Sequence, residues 1–71
     1  MAIQYERKGI ILAGIYPILR RVAIYNYDGY EDCSERLGFD ISQEEFIIVA
    51  QTWLLLNGFD YEQPDTKRID T

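Results

Sequence analysis

Ile10-Ile11-Leu12-Ala13-Gly14-Ile15-Tyr16-Pro17-Ile18-Leu19-Arg20-Arg21-Val22-Ala23-Ile24-Tyr25-Asn26-Tyr27 satisfies two patterns at once, and the pattern that governs decides the fold. Ile11, Ile15, Ile18, Val22 and Tyr25 recur at three- and four-residue steps, the spacing of one helical face, with Leu12, Leu19 and Ala23 beside them. Gly14 and Pro17 interrupt a continuous helix. A proline lacks the amide donor and clashes with the preceding turn, so a new helix starts at Pro17. The competing pattern lies in Arg20 to Tyr27, which is rich in β-branched and aromatic residues and is followed by the turn pair Asp28-Gly29. The three- and four-residue spacing favours a helix from Pro17 to about Tyr27. Strand over 20–27 is the alternative.

Downstream, the strongest local signals belong to residues 42–57. Ser42 can accept from the Glu45 amide while the Glu45 carboxylate reaches back, a capping box, and Ile41 can pack on Phe46 as a hydrophobic staple. Asn57-Gly58-Phe59 ends the helix, with Gly58 supplying the left-handed residue of a Schellman motif and Phe59 returning to Leu54. At 100° per residue, Phe46, Val49, Ala50, Trp53 and Leu56 form a core stripe flanked by Ile47 and Leu54. Ile48 and Leu55 lie opposite, among Glu44, Glu45, Gln51 and Thr52, which suggests a seam for self-association or a partner groove. Tyr30 to Leu37 is expected as a short helix ended by Gly38, with Tyr30, Cys33 and Leu37 on one face.

The fold class that follows is mainly α: one small domain of about three helices around a central helix 42–57. The alternative is α+β, with N-terminal strands packed on two helices. Residues 1–59 form the expected globular unit, and 60–71 a polar, mobile tail. Seventy-one residues make a small core, and 48% hydrophobic content in so short a chain favours help from association.

Composition excludes most chemistries. There is no histidine and one cysteine, so neither an ordinary zinc constellation nor an internal disulfide is available. Cys33 sits among Glu31, Asp32 and Glu35, which disfavours a thiolate. Ser34 has no base, and Ser42 is used as a cap. Asp28-Gly29-Tyr30-Glu31-Asp32 fails as a calcium loop, since Tyr30 and Cys33 stand where a ligand and a glycine belong. The glycines at 9, 14, 29, 38 and 58 make neither a Walker motif nor a dinucleotide fingerprint. No catalytic residue, metal or cofactor is expected. Ile10 to Leu19 is too short to span a bilayer, and the N-terminus lacks the order of a signal peptide. A reducing, cytoplasmic setting without a membrane fits best.

Charge is uneven along the chain. Through Tyr27, Arg7, Lys8, Arg20 and Arg21 stand against Glu6, a balance of +3; from Asp28 onward eleven acids stand against Arg36, Lys67 and Arg68, a balance of −8. Asp28, Tyr30, Glu31, Asp32, Glu35, Glu44 and Glu45 therefore form the candidate partner-binding set, an acidic, tyrosine-bearing surface suited to a basic protein patch. Residues 30–56 read as helix, turn, helix, but a recognition helix that begins with Glu44 and Glu45 would face phosphates. Direct nucleic acid binding is disfavoured.

The functional expectation is a small acidic protein-protein interaction module, a regulator or inhibitor that occludes a basic site on a partner. That profile is similar to the general one of phage-encoded inhibitors of host nucleic-acid enzymes. The first alternative is a homodimer or larger assembly subunit that pairs through Ile48 and Leu55 of the central helix. The second is a DNA-binding transcriptional regulator that uses Arg7, Lys8, Arg20 and Arg21.

Overall fold

The computed structural model describes residues 1–62 and 64–69. Its elements are β1 (Ala2–Arg7), β2 (Ile10–Tyr16), β3 (Arg21–Tyr25), β4 (Glu31–Arg36), α1 (Gln43–Leu56) and β5 (Asp65–Ile69). The strands make one antiparallel sheet in the order β4-β3-β2-β1-β5. The helix crosses one face, over β2 and β3. The mainly-α expectation is therefore overturned; of the α+β alternative, the N-terminal strands are present, packed on one helix and not two.

Register explains why the sheet wins. Ile3 pairs with Ile15 and Ile15 with Val22, while Tyr5 pairs with Ala13 and Ala13 with Ile24. Because side chains alternate along a strand, these rows share the face under α1. Ile3, Tyr5, Ala13, Ile15 and Val22 form the core with Phe46, Ala50 and Leu54. Full burial of each large side chain among them contributes on the order of 1.5–3 kcal/mol. The opposite row runs Gln4, Gly14, Ala23, Ser34. A Cβ added to Gly14 would run into the Tyr16 ring, so that ring lies flat over the strand and leaves no room for a side chain. Together the two rows give β2 and β3 the nearly continuous apolar run that also fits helical spacing.

Three expected segments change identity. Pro17 opens a β2–β3 turn instead of a helix: the Arg20 amide donates to the Pro17 carbonyl at 3.1 Å, and Arg20 itself takes φ 52°. The segment expected as a short helix, Tyr30 to Leu37, instead carries the strand Glu31–Arg36. Asn26 Oδ1 accepts from the amides of Asp28 (3.0 Å) and Tyr30 (3.1 Å), and this hairpin turn delivers Glu31–Arg36 to the free edge of β3. An edge strand needs only one ladder, and its charges discourage further pairing. Within 60–71, expected as a mobile tail, Asp65–Ile69 pairs with β1. Of the other residues of that segment, Gln63, Asp70 and Thr71 lie outside the described residues.

The helix is closed by the residues that announce it. Ser42 Oγ accepts from the Glu45 amide at 3.1 Å. At the other end the Phe59 amide donates to Leu54 (2.9 Å) and the Gly58 amide to Leu55 (3.0 Å), a Schellman pair with Gly58 at φ 85°. Its buried residues are Phe46, Ala50 and Leu54. At 100° per residue, that stripe is turned by about 60° from the one the sequence suggests. The rotation brings Leu54 inward and leaves Val49 and Leu56 outside.

Beyond the helix, Tyr5, Phe59 and Tyr61 form a ring cluster with centroids 5.1–5.3 Å apart. The Tyr61 hydroxyl donates to the Gln51 carbonyl at 2.9 Å. This ties the loop after α1 to β1 and sets the approach of β5.

Candidate functional site

The rotation of α1 defines the candidate site. Ile48 (65% exposed), Val49 (40%), Leu55 (60%) and Leu56 (81%) all face solvent, where a helix of a small domain ordinarily carries polar residues. Beside them runs a shallow groove of about 300 Å³ lined by Leu37, Ile48, Val49, Thr52, Trp53 and Leu56. Trp53 is half-buried, with its indole N–H donating to Glu35 Oε2 at 3.0 Å. That bond holds the ring as one wall of the groove.

The electrostatic frame of this face is one-sided. From Leu37 to Glu62 the chain has five acids, Asp40, Glu44, Glu45, Asp60 and Glu62, and no Lys or Arg. The remainder has seven acids against seven bases, so this segment by itself carries the net charge of −5. Glu44 and Glu45 stand in the first turn of α1, where the helix dipole favours them.

The candidate partner-binding residues do not form one patch. Asp28 and Tyr30 belong to the β3–β4 turn, with Tyr30 exposed. Glu31 pairs with Arg21, and it faces away from the helix with Tyr25, its register partner. Asp32 is the extra residue of a bulge opposite Ile24/Tyr25. Glu35 faces the helix and holds Trp53. Glu44 and Glu45 lie at the start of α1. The loop before that start is joined to the β2–β3 turn by Leu37 N–H to Arg20 O, 2.9 Å. The β3–β4 turn is at the other end of the sheet, about 20 Å away at 1.5 Å per helical residue. The structure thus splits the acidic set into a turn cluster and a helix-start cluster. The proposed self-association pair, Ile48 and Leu55, lies together on the outer face.

The four bases of the DNA-binding reading are also divided. Arg7 and Lys8 flank the β1–β2 turn, at one end of the meander. Arg20, at the other, donates to the Ile41 carbonyl from Nη2 (2.7 Å) and Nε (3.2 Å) and also bonds the Pro17 carbonyl. Its work is to clamp two loops together. Arg21 is committed to Glu31 and stands 5.8 Å over the Tyr16 ring.

The open face of the sheet carries a second concavity, of about 440 Å³, between the β1–β2 and β3–β4 turns. The Tyr16 and Tyr25 hydroxyls meet there at 3.0 Å. Burial pushes the Tyr16 phenol up from its ordinary range, and the bond to Tyr25 adds to that. Burial likewise raises Tyr61. Among the described residues, no group of three or more Cys, Asp or Glu side chains is placed to hold a metal ion, and Cys33 is half-buried. No helix among them is long and apolar enough to cross a membrane.

Comparison with known protein families, with curated proteins and with solved structures finds no match to this chain.

Two features of these surfaces are not read from helical spacing: that spacing puts Val49 and Leu56 in the core, and it puts Tyr25 and Tyr27 in a helix that starts at Pro17, just after Tyr16. The signal that identifies the tyrosines is period two: Ala13 and Ile15 point one way, Gly14 and Tyr16 the other, and Val22/Ile24 against Ala23/Tyr25 repeat it.

Proposed function

We propose that this chain is a small protein-interaction module that regulates its partner by occlusion, docking through the outer face of α1. The observation that carries the reading is the uncovered apolar stripe of Ile48, Val49, Leu55 and Leu56, set in a segment with five acids and no bases. Apolar area supplies the affinity of such a contact, while the charge sign selects the partner and speeds encounter. The occupant is a partner protein with an apolar ridge or helix ringed by Lys and Arg, seated along the Trp53 groove. A second copy is the poorer fit. It would bring a second net-acidic helical segment against the first, and like charges across an interface are costly.

Relative to the acidic set in the sequence, the docking surface moves onto the helix and keeps Glu44 and Glu45 as its rim. Asp28, Tyr30, Glu31 and Asp32 lie outside it. The test begins with solution mass across a concentration series. Proteins captured by the native chain are then measured, purified, against Leu55→Asp and Glu44→Lys/Glu45→Lys. A monomer is expected, with at least a tenfold loss of affinity for the first variant. The second is expected to lose affinity and most of its salt dependence. A concentration-stable dimer split by Ile48→Glu would replace this reading with the homo-oligomeric one. Affinity unchanged in both variants would remove α1 as the docking face.

A further inference from the structure

The concavity on the open sheet face is separate from α1 and lies on the other side of the sheet. Its walls are Ile10, Ile11, Tyr16, Tyr25, Tyr27 and Asp28, so three aromatic rings and one carboxylate face a space with no Lys or Arg in its lining. The fold fixes the Tyr16 and Tyr25 side chains and the backbone that carries Tyr27 and Asp28. The Tyr16 ring is laid over Gly14, where only a glycine leaves room for it, and its hydroxyl is tied to Tyr25. Tyr27 and Asp28 project from a turn braced by Asn26 Oδ1, by Asn26 N–H to Tyr30 O (2.8 Å) and by Gly29 N–H to Asn26 O (3.0 Å).

We infer that this concavity is a binding site for a quaternary ammonium group. The negative faces of aromatic rings attract a cation that sheds water easily, and a nearby carboxylate adds to the attraction. An anion would meet Asp28 and phenol oxygens without a compensating base. A purely apolar ligand would leave the Asp28 carboxylate unmatched. Arg21 shows the same affinity at short range, with its guanidinium 5.8 Å over Tyr16; its pairing with Glu31 offsets its own charge beside the site. A volume of about 440 Å³ falls within the range of small-molecule sites. It accommodates a trimethylammonium head group with part of its substituent.

Choline and its uncharged carbon isostere, 3,3-dimethylbutan-1-ol, separate the cation from the shape. Each is titrated into the isotopically labelled full chain and followed by amide chemical shifts. Choline is expected to move Tyr25, Tyr27 and Asp28 while the Trp53 indole, on the opposite face, stays still. It should bind at least tenfold tighter than the isostere, about 1.4 kcal/mol. Tyr27→Leu should cost at least threefold and Tyr27→Phe should restore binding. Tyr27 is an exposed turn residue, so both variants keep the fold. Asp28→Asn should weaken choline and leave the isostere unchanged. A trimethyllysine peptide bound tenfold tighter than choline would assign the same head-group site to a modified partner protein; equal affinities would assign it to a free ligand. Equal binding of choline and the isostere, or no shift at 20 mM choline (~20 mM being weaker than the ~1 mM affinity of about −4 kcal/mol), would overturn the inference.

Discussion

Arg20→Met tests whether a single side chain joins the sheet to the start of the helix. The guanidinium donates to the Ile41 carbonyl from two nitrogens and to the Pro17 carbonyl from a third, while the Arg20 carbonyl accepts from Leu37. Methionine keeps most of the stem and removes the donors. A hydrogen bond from a charged donor contributes about 1.5–3 kcal/mol. The two carbonyls share one guanidinium and the site is half-buried, so the contributions do not add; water can also reach part of it. The expected loss is about 2 kcal/mol, equivalent to a fall of roughly 10 °C in Tm for a domain of this size. Urea unfolding followed by Trp53 emission measures it, with an unchanged m-value. Amide exchange at Glu45, whose N–H is bonded to Ser42 Oγ, should quicken more than exchange in β1. A loss below about 0.5 kcal/mol, the level of an ordinary exposed pair, would refute the clamp.

Two further outcomes follow from burial. Leu54→Ala should cost about 2–5 kcal/mol because the side chain is fully buried. Leu55→Ala, at an exposed position, should stay within ~0.5 kcal/mol; equal losses in urea titrations would contradict the orientation of α1. The raised phenols set the alkaline limit. Above about pH 10, where an unfolded tyrosine ionises, the folded state keeps protons on Tyr61 and Tyr16 that the unfolded chain releases. Stability is therefore level below that pH and falls above it, by about 1.4 kcal/mol per pH unit for each retained proton. Tyr61→Phe should flatten the fall in urea midpoints between pH 9.5 and 11.5, and an identical slope would sink the assignment.

Much of α1 was legible in the residues alone, because caps act within one turn of their own backbone. Ser42, Glu45, Gly58 and Phe59 need no knowledge of the rest of the chain to close a helix. The lack of histidine and the single cysteine are likewise facts of composition, independent of the chain's shape. The net acidity was also visible, although the full apolar stripe it flanks was not.

Residues 10–37 were decided by tertiary pairing. Ile11, Ile15, Ile18, Val22 and Tyr25 match a helical spacing only because β2 and β3 are apolar on both sides of a turn, one row under α1 and the other under the Tyr16 ring. Glu31–Arg36 has no apolar alternation and becomes a strand because the Asn26 turn carries it to the open edge of β3. Asp65–Ile69 similarly acquires its structure from β1. Strand ladders join residues distant in sequence, so the sequence determines by itself the elements that close locally and the residue types the chain has to work with. The register of the sheet, the rotation of α1 that exposes Val49 and Leu56, and the two concavities exist only once those distant partners meet.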